Sequence, residues 1–367
     1  MSEIRRIAIT TGGGDAPGLN AVIYAVVYAA TGLGWEVFGI RDGYDGLLFP
    51  AKFKEGLVRL DRESVRDIAH LGGTILGTTN RSNPFKQRTV QSDGTIVDQD
   101  RSDEVLRALH AAKIDALIAV GGDGSLEIAF GLNQKGLCVV GVPKTIDNDL
   151  EATALTFGFD SAVAFATECI DRLHSTAQAH RRFIVVEVMG RYAGWIALNA
   201  GIAGGADAIL IPELPYDIGK VAAHLRRRTS GERQHAIVVV AEGAKPLGGT
   251  STVRVAAVAG QAERLGGIGE IVAGQLQELT GHESRSVVLG HLLRGGSPTS
   301  LDRLLGLSFG AAAVQALADR QAGVMIALDP PDIRYLPLRK ALERSKTVPP
   351  KSYGITTARV LDISLGD

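Results

Sequence analysis

The sequence predicts an α/β protein made of two doubly wound, Rossmann-like units. Short apolar runs rich in Val, Ile and Ala recur at 7–10, 116–120, 138–142, 183–188 and 236–241. Such unbroken runs are typical of strands buried on both faces. Glycine-rich loops follow these strands, and amphipathic segments such as 19–30 and 126–133 predict helices that serve as parallel crossovers. Ligands of such sheets bind beyond the carboxyl ends of the strands, where these loops lie.

Length and composition bound the class of protein. A chain of 367 residues exceeds one small core and suits two domains, and a net charge of −1 provides no field for nucleic acid or anionic membrane. No apolar stretch approaches the ~20 residues that span a bilayer, and the first residues lead directly into a strand-like run. The two cysteines, Cys138 and Cys169, lack metal-ligand spacing and are expected to be buried free thiols. We therefore expect a cytoplasmic protein, and the run 226–228 of three arginines is interpreted as a solvated helix face rather than an anion site.

The first glycine loop, 11–20, places three consecutive glycines before a predicted helix. Glycine allows close backbone approach to an anion, and the helix N-terminus adds positive potential. The spacing does not match a Walker loop. Phosphate binding and a simple tight turn both fit this loop.

The second glycine loop, Gly121-Gly122-Asp123-Gly124-Ser125, adds an acid. Mg²⁺ on a polyphosphate takes one or two protein carboxylates, so Asp123 is a candidate metal ligand. The alternative is that Asp123 caps the following helix. Ser125 either donates to phosphate or simply occupies the first helical turn.

The segment 143–150, Pro-Lys-Thr-Ile-Asp-Asn-Asp-Leu, carries two carboxylates two positions apart. In extended backbone these side chains face the same way, roughly 6.5 Å apart. With an unperturbed pKa of ~3.9, Asp147 is ionised at neutral pH and fits a general base that accepts a proton from an alcohol. Asp149 fits a residue that orients this base or holds metal-bound water, and Lys144 and Thr145 fit donors to phosphoryl or substrate oxygens.

Positive charge must balance these acids and any bound phosphate. Guanidinium groups suit phosphate oxygens, although each arginine alone also fits a surface ion pair. A histidine three residues before an arginine, in the glycine-flanked segment 290–298, fits a phosphate ligand or a core residue. The candidates are Arg81, Arg182, Arg191, Arg285, Arg294 and His291.

Taken together, these loops resemble the 6-phosphofructokinase family. The matching segments follow the family's order over about four-fifths of the chain. They are Gly-Gly-Asp-Ala-Pro-Gly-Leu-Asn (13–20), Gly-Gly-Asp-Gly-Ser (121–125), Thr-Ile-Asp-Asn-Asp (145–149), Met-Gly-Arg-Tyr-Ala-Gly (189–194) and Gly-His-Leu-Leu-Arg-Gly-Gly-Ser-Pro (290–298). The second segment alone also occurs in NAD and diacylglycerol kinases.

The resemblance implies phosphoryl transfer to the 1-hydroxyl of fructose 6-phosphate, giving fructose 1,6-bisphosphate, with Mg²⁺ on Asp123. It makes Asp147 the general base, supported by Asp149. Arg191 would stabilise the charge that develops on the transferred phosphoryl group. The transferred phosphoryl group would be held by Gly13, Arg81 and Thr145. The sugar phosphate would be held by Met189, Gly190, Glu242, His291 and Arg294. Nucleotide-side positions would be Tyr44, Arg81 and the loop 121–125, that is Gly121, Gly122, Asp123, Gly124 and Ser125.

The same resemblance implies a homo-oligomer, a dimer or a tetramer. Arg182 and Arg285 match arginines that reach into a neighbouring subunit's site. The expected donor and metal domain is 1–158 plus about 293–343, and the expected sugar-phosphate domain is 159–292 plus about 344–367. Tyr24 and Tyr28 replace two effector-binding arginines of bacterial relatives, which predicts that control by ADP or phosphoenolpyruvate is absent or altered.

The phosphoryl donor is the open point. Pyrophosphate users of the family usually carry a second acid where this chain has Gly124, and common bacterial ATP users carry glycine where it has Lys144. A glycine at 124 leaves room for an α-phosphate, so we favour ATP, with pyrophosphate as the alternative. A non-catalytic regulator that binds nucleotide or metabolite is the alternative of another class, but such a protein is expected to lose Asp123 or Asp147.

Overall fold

The computed structural model describes residues 4–90, 93–231, 233–255 and 264–367. Within these ranges the chain forms a seven-stranded sheet, a four-stranded sheet and two small two-stranded sheets. The strands are β1 (Arg6–Thr11), β2 (Glu36–Ile40), β3 (Leu57–Leu60), β4 (Gln87–Val90), β5 (Ile96–Gln99), β6 (Ala116–Gly121), β7 (Cys138–Pro143), β8 (Phe183–Val188), β9 (Ala208–Leu210), β10 (Ala236–Ala241), β11 (Val253–Val255), β12 (Arg264–Leu265), β13 (Ser284–Val288), β14 (Val324–Asp329) and β15 (Asp332–Pro337).

Helices flank both sheets. They are α1 (Leu19–Gly32), α2 (Asp45–Leu48), α3 (Ser102–Ala111), α4 (Asp123–Gln134), α5 (Phe159–His180), α6 (Trp195–Ala203), α7 (Ile218–Arg228), α8 (Ile268–Thr280), α9 (Ser300–Ala318), α10 (Leu338–Ala341) and α11 (Tyr353–Val360). Short 3₁₀ turns cover Pro50–Lys52, Pro84–Lys86 and Gly290–Arg294.

The large sheet has the order β15-β14-β7-β6-β1-β2-β3. Its five central strands run parallel, and the two edge strands are antiparallel. The register pairs Thr11 of β1 with Val120 of β6, and Gly121 of β6 with Pro143 of β7. Three neighbouring strands therefore end together, which brings the first glycine loop, the second glycine loop and the segment 143–150 to one place.

The small sheet, in the order β13-β8-β10-β9, is parallel throughout. The register pairs Val188 with Ala241, so the loops that carry Met189 and Glu242 leave the sheet side by side. β13 lies at the edge and holds Arg285 in register with Ile184.

Helices α1 and α9 cover one face of the large sheet and pack closely on each other. A methyl group at Gly310 would lie 2.6 Å from the Val22 carbonyl oxygen, so only glycine allows this approach. α9 is the one helix of the described residues that is long and apolar enough to span a membrane by composition. Phe309, Ala313 and Val314 are nonetheless buried in the core beneath it, as in a core helix of a globular domain.

The predicted α/β class and the doubly wound sheets are confirmed, and the five predicted strands lie within a residue of their observed ends. The antiparallel edge strands were not anticipated. The arginine run 226–228 lies on the last turn of α7, as expected for a helix face, but is ion-paired: Arg227 and Arg228 bind Asp362, and Arg228 also binds buried Asp207. Cys138 and Cys169 are free but only partly buried. The sheet order fits two units, whose boundaries stay a prediction.

Candidate active site

Three consecutive glycines form a cradle for polar side chains from distant parts of the chain. A methyl group at Gly12 would lie 2.6 Å from Ser125 Oγ, and one at Gly14 would lie 2.7 Å from an Arg294 nitrogen. The middle residue, Gly13, has a φ of +78°, which favours glycine. We call residues 12–14 the glycine cradle. It joins the first and second glycine loops to Arg294.

Lys144 lies beneath this cradle and is almost fully buried. Its Nζ donates to the carbonyl oxygen of Gly14, and its own N–H donates to the Gly121 carbonyl oxygen at 2.9 Å. Burial lowers the pKa of Lys144 to about 8, and the Arg294 charge adds to this shift. The ammonium is thus held close to both glycine loops and loses its proton more readily than an exposed lysine.

Asp147 has a buried oxygen with no hydrogen-bond partner. The residue is half-exposed, but its Oδ1 is buried and receives no hydrogen bond from any described group. Burial raises its pKa, while the Arg294 and Lys144 charges oppose that rise. An unpaired carboxylate oxygen beside two cations is free to accept a proton or hydrogen bond from a bound molecule.

The expected extended backbone between the two acids is wrong. Ile146 and Asp147 form a turn, and Asn148 adopts a φ of 51° in the left-handed region. Asn148 tolerates this conformation better than most residues, and its Oδ1 accepts from the N–H of Thr156 at 3.2 Å. The two carboxylates still interact, because burial and the Asp147 charge together raise the pKa of Asp149 to about 6.

A third acid joins these two from the small sheet. Glu242 follows β10, and burial followed by the Asp147 and Glu187 charges raises its pKa to about 7. Both sheets therefore contribute carboxylates to one electrostatically coupled cluster, which also contains Arg294, Lys144 and Arg191. Clustered groups with shifted pKa values in a cleft are typical of catalytic sites.

Asp123 begins α4 and is exposed. Its Oδ1 accepts from the Gly124 N–H at 2.7 Å, and Gly122, not Asp123, occupies the capping position of the helix. Asp123 and Asp149 line one cavity of about 190 Å³, together with Glu127. Among the described residues, no group of three or more His, Cys, Asp or Glu side chains is arranged to hold a metal ion. One or two carboxylates suffice for Mg²⁺ that also binds phosphate, so the residues fit that use.

Gly124 faces open space, and no atom lies within 4 Å of the position that a side chain would take there. Lys144 is the nearest cation to the middle of the glycine cradle, 3.5 Å from where a methyl group at Gly13 would lie.

Arg182 and Arg285 lie together at the edge of the small sheet. Glu283 binds both, through Arg182 Nη2 at 3.3 Å and Arg285 Nη2 at 2.5 Å. We call these three residues the arginine edge. The Arg285 side chain is 58% exposed, so its guanidinium group is accessible to a surface that meets this edge.

The remaining predicted residues have different settings. Gly190 has a φ of +130°, and a methyl group there would lie 2.6 Å from the Ala193 carbonyl oxygen. Arg191 lies 4.9 Å from the Tyr192 ring centre, Met189 packs on the core, and the Thr145 Oγ1 accepts from the Asp147 N–H at 3.1 Å. His291 and Arg81 are exposed.

Tyr44 is buried instead of lining an open nucleotide site. Its side chain belongs to the core under the large sheet, and its hydroxyl has no partner among the described residues. Burial raises its pKa. The predicted contact of Tyr44 with a nucleotide stays a prediction. It requires the Tyr44 hydroxyl to reach a bound ligand at the edge of the core.

Tyr24 and Tyr28 stack on each other with ring centres 4.3 Å apart. Arg62 lies over the Tyr28 ring at 5.1 Å and donates to the Thr31 hydroxyl at 3.0 Å. The face of α1 that carries these residues is therefore aromatic, and the nearby cation already has partners.

Sequence reasoning missed two residues that bear on the site. Glu283 lies two positions before Arg285, and period-two spacing beside a strand was a signal for their pairing. Lys346 is 198 positions from Asn148, yet its Nζ donates to Asn148 Oδ1 at 3.0 Å. No local pattern marks a contact between segments so far apart.

Comparisons with known proteins agree with this geometry. The family model described as phosphofructokinase matches residues 6–317. An ATP-dependent 6-phosphofructokinase of Chloroflexus aurantiacus is 48% identical over 366 residues, covering 100% of this chain and 99% of the relative. A pyrophosphate–fructose 6-phosphate 1-phosphotransferase of Amycolatopsis methanolica is 49% identical over 356 residues, covering 95% and 97%.

A solved structure gives the same result. The phosphofructokinase of Saccharomyces cerevisiae superposes with a TM-score of 0.77 and 32% identity over 98% of this chain. The match covers 47% of the yeast chain, so this chain spans about half of that longer polypeptide. The loops, the site geometry and these matches together show that the chain belongs to the phosphofructokinase family.

Proposed function

We propose that this chain is an ATP-dependent 6-phosphofructokinase. It would transfer the γ-phosphoryl group of ATP to the 1-hydroxyl of fructose 6-phosphate, giving fructose 1,6-bisphosphate in glycolysis, in the cytoplasm. The observation that carries the proposal is the buried, unpartnered oxygen of Asp147 beside Lys144 and Arg294. A hydroxyl that donates to this oxygen would satisfy its missing hydrogen bond and lose its proton to it.

Asp147 acts as the general base in this proposal. Its carboxylate accepts the proton of the 1-hydroxyl as the hydroxyl oxygen attacks the γ-phosphorus of ATP. The bond from that phosphorus to the β,γ-bridging oxygen breaks and ADP leaves, and Asp149 supports the site. The raised pKa of Asp147 suits proton acceptance near neutral pH, because a base works best when its pKa approaches the working pH.

On the donor side, the glycine cradle, Ser125 and Lys144 bind phosphate oxygens, and Arg81 and Thr145 help hold the transferred group. Asp123 would hold Mg²⁺, with Asp149 lining the same cavity. When bound there, Mg²⁺ would supply positive charge to the phosphate oxygens. Positioning and charge stabilisation then provide most of the rate enhancement, and Arg191 stabilises the charge that develops on the transferred phosphoryl group.

On the acceptor side, Met189, Gly190, Glu242, His291 and Arg294 hold the sugar phosphate. Arg182 and Arg285 extend from a neighbouring subunit of a homo-oligomer, a dimer or a tetramer. The exposure of Arg285 at a sheet edge supports this role, because an exposed guanidinium fork is available to a phosphate.

The choice of phosphoryl donor has to be argued from the site residues. Two relatives of nearly equal identity are named for different donors, so the names do not decide it. The open space at Gly124 favours ATP, since a nucleotide needs room beyond its β-phosphate. Lys144 favours the second candidate, pyrophosphate, because its buried ammonium lies beneath the glycine cradle.

One assay separates these candidates. Formation of fructose 1,6-bisphosphate from fructose 6-phosphate and Mg²⁺ is measured with ATP and, separately, with pyrophosphate. We expect turnover with ATP. Turnover with pyrophosphate alone would transfer the assignment to the second candidate, and no turnover with either would overturn both.

A further inference from the structure

A single lysine from the C-terminal part of the chain forms several hydrogen bonds with the loop that carries Asp147 and Asp149. Lys346 lies between α10 and α11, remote in sequence from the segment 143–150. Its Nζ donates to Asn148 Oδ1 at 3.0 Å, to the Thr153 carbonyl oxygen at 3.1 Å and to the Ala154 carbonyl oxygen at 2.6 Å. An ammonium has three donor protons, so these acceptors use all of them.

The backbone around Lys346 is tied to the same loop. Its N–H donates to the Asp149 carbonyl oxygen at 2.8 Å, and Ser345 forms a bridge with Leu150. Lys346 therefore contacts Asn148 through its side chain and Asp149 through its backbone. These two residues directly follow Asp147 in the chain.

The opposite side of Lys346 is fixed to the loop 189–194 and to α6. Trp195 Nε1 donates to the Lys346 carbonyl oxygen at 3.1 Å, and the ammonium lies 5.6 Å from the indole ring centre. Two residues on, the Val348 N–H donates to Glu213 Oε1 at 2.7 Å, and the same carboxylate accepts from the Gly194 N–H. The segment 345–348 thus joins the loop of Asp147 to the loop of Arg191.

The loop that is held in this way needs support. Asn148 has a left-handed backbone, and a non-glycine residue keeps such a conformation only where its surroundings fix it. Its Oδ1 has two donors, the Thr156 N–H and Lys346 Nζ. Burial lowers the pKa of Lys346 to about 8, and the Asp149 charge opposes this shift.

We propose that Lys346 is a positioning residue, which holds Asn148 in its left-handed turn and thereby fixes the orientation of Asp147 and Asp149. It touches no substrate and acts through the loop. Lys346 also lines an open cavity of about 690 Å³, but its ammonium is fully used by the chain itself, so a positioning role fits better than ligand binding. The effect on turnover rests on the proposed function, whereas the effect on loop order does not.

The test compares Lys346→Met with wild type and with Lys351→Met, a matched control. Lys351 is exposed, and among the described residues its ammonium has no hydrogen-bond or ion-pair partner. Displacing a catalytic group by about 1 Å can cost about 10²-fold in rate, so Lys346→Met is expected to lower kcat by about 10- to 100-fold. The KM values for both substrates should stay within about threefold of wild type, because groups that bind them are untouched.

Two further variants separate positioning from general destabilisation. Lys346→Arg keeps the charge and several donors, and should recover most of the lost kcat. Asn148→Gly removes the side-chain acceptor, while glycine still adopts the left-handed backbone conformation. Because both substitutions break the same contact, the double variant of Lys346→Met with Asn148→Gly should be no slower than the slower of the two single variants. Multiplied losses, or a uniform change in kcat and both KM values, would overturn the proposal.

Hydrogen–deuterium exchange provides a readout that does not need turnover. The amides of residues 145–150 should exchange about tenfold faster in Lys346→Met than in wild type and Lys351→Met, with the thermal midpoint little changed. If Lys346→Met fails to fold, Trp195→Phe, which removes only the indole donor, should give a smaller change of the same kind. Unchanged exchange of this loop would overturn the proposal, even if wild type shows no kinase activity; inactive wild type with faster loop exchange would overturn only the proposed function.

Discussion

Lys144 and Arg294 beside the glycine cradle donate to the backbone carbonyls of residues 14 and 15, whereas Arg182 and Arg285 at the arginine edge share one exposed carboxylate, Glu283. The two cations beside the cradle are thus built into the fold. The arginines of the arginine edge are held mainly by a surface ion pair, which contributes little to stability in water, and Arg285 also donates to the Ser284 carbonyl oxygen at 3.3 Å. Under our proposal, the cations beside the cradle serve the site of their own chain, and the arginine edge completes the site of a neighbouring subunit. The following predictions test this difference, from the largest expected effect to the smallest.

Replacing the base should have the largest effect. Asp147→Asn keeps the size of the side chain but cannot accept a proton, so kcat is expected to fall by about 10²–10⁴-fold. Its thermal midpoint should match or exceed that of wild type, because a neutral amide replaces a carboxylate whose buried Oδ1 has no hydrogen-bond partner among the described residues. Steady-state assays and thermal melting check both points, and near-normal kcat would remove Asp147 from the mechanism.

Disrupting the arginine edge should affect only the acceptor. A charge-assisted hydrogen bond contributes roughly 1.5–3 kcal/mol, so Arg182→Met with Arg285→Met should lower kcat/KM for fructose 6-phosphate by about 100-fold or more. The KM for the donor should change little. Glu283→Gln is the matched control, since it releases both arginines and should leave kcat/KM unchanged or higher; equal damage to both substrates would contradict the division of the site.

Lys144 should link donor binding to pH. Its ammonium must be charged to attract phosphate, and burial lowers its pKa from 10.5 to about 8. Affinity for the donor is therefore present below pH 8 and lost as the pH rises through 8, which kcat/KM for the donor reports. Lys144→Met should raise the donor KM by about tenfold and, when combined with Lys346→Met, abolish this basic limb.

The control for that profile is Lys346→Met, because the pKa of Lys346 is also lowered to about 8. This variant should keep the basic limb in kcat/KM for the donor. A limb that survives in the double variant would show that another group titrates there.

The smallest effect concerns effectors. Tyr24 and Tyr28 carry no charge to bind an effector phosphate, and Arg62 is occupied by Thr31 and the Tyr28 ring. Phosphoenolpyruvate or ADP at subsaturating fructose 6-phosphate should change the rate less than about twofold, below the ~5-fold of typical allosteric coupling. Strong inhibition that fructose 6-phosphate competes away would show an effector site.

The sequence predicted the residue types of the site better than their setting. Gly12–Gly14, Asp123 and Asp147 lie where buried strands end, because parallel strands bring consecutive loops to one edge. The burial of Lys144 was not predictable, since it depends on packing by both glycine loops. The turn at Asn148 overrode the expected extended backbone because distant groups, Thr156 and Lys346, hold its side chain.

Subunit complementation tests the division of the site most directly. Asp147→Asn subunits are mixed with subunits that carry Arg182→Met and Arg285→Met, after unfolding and joint refolding, and kinase activity is measured. If the arginine edge serves a neighbouring subunit, random pairing restores an intact site in about one quarter of positions, so activity returns to roughly a quarter of wild type. Activity no higher than the mean of the two parents would contradict a site shared between subunits.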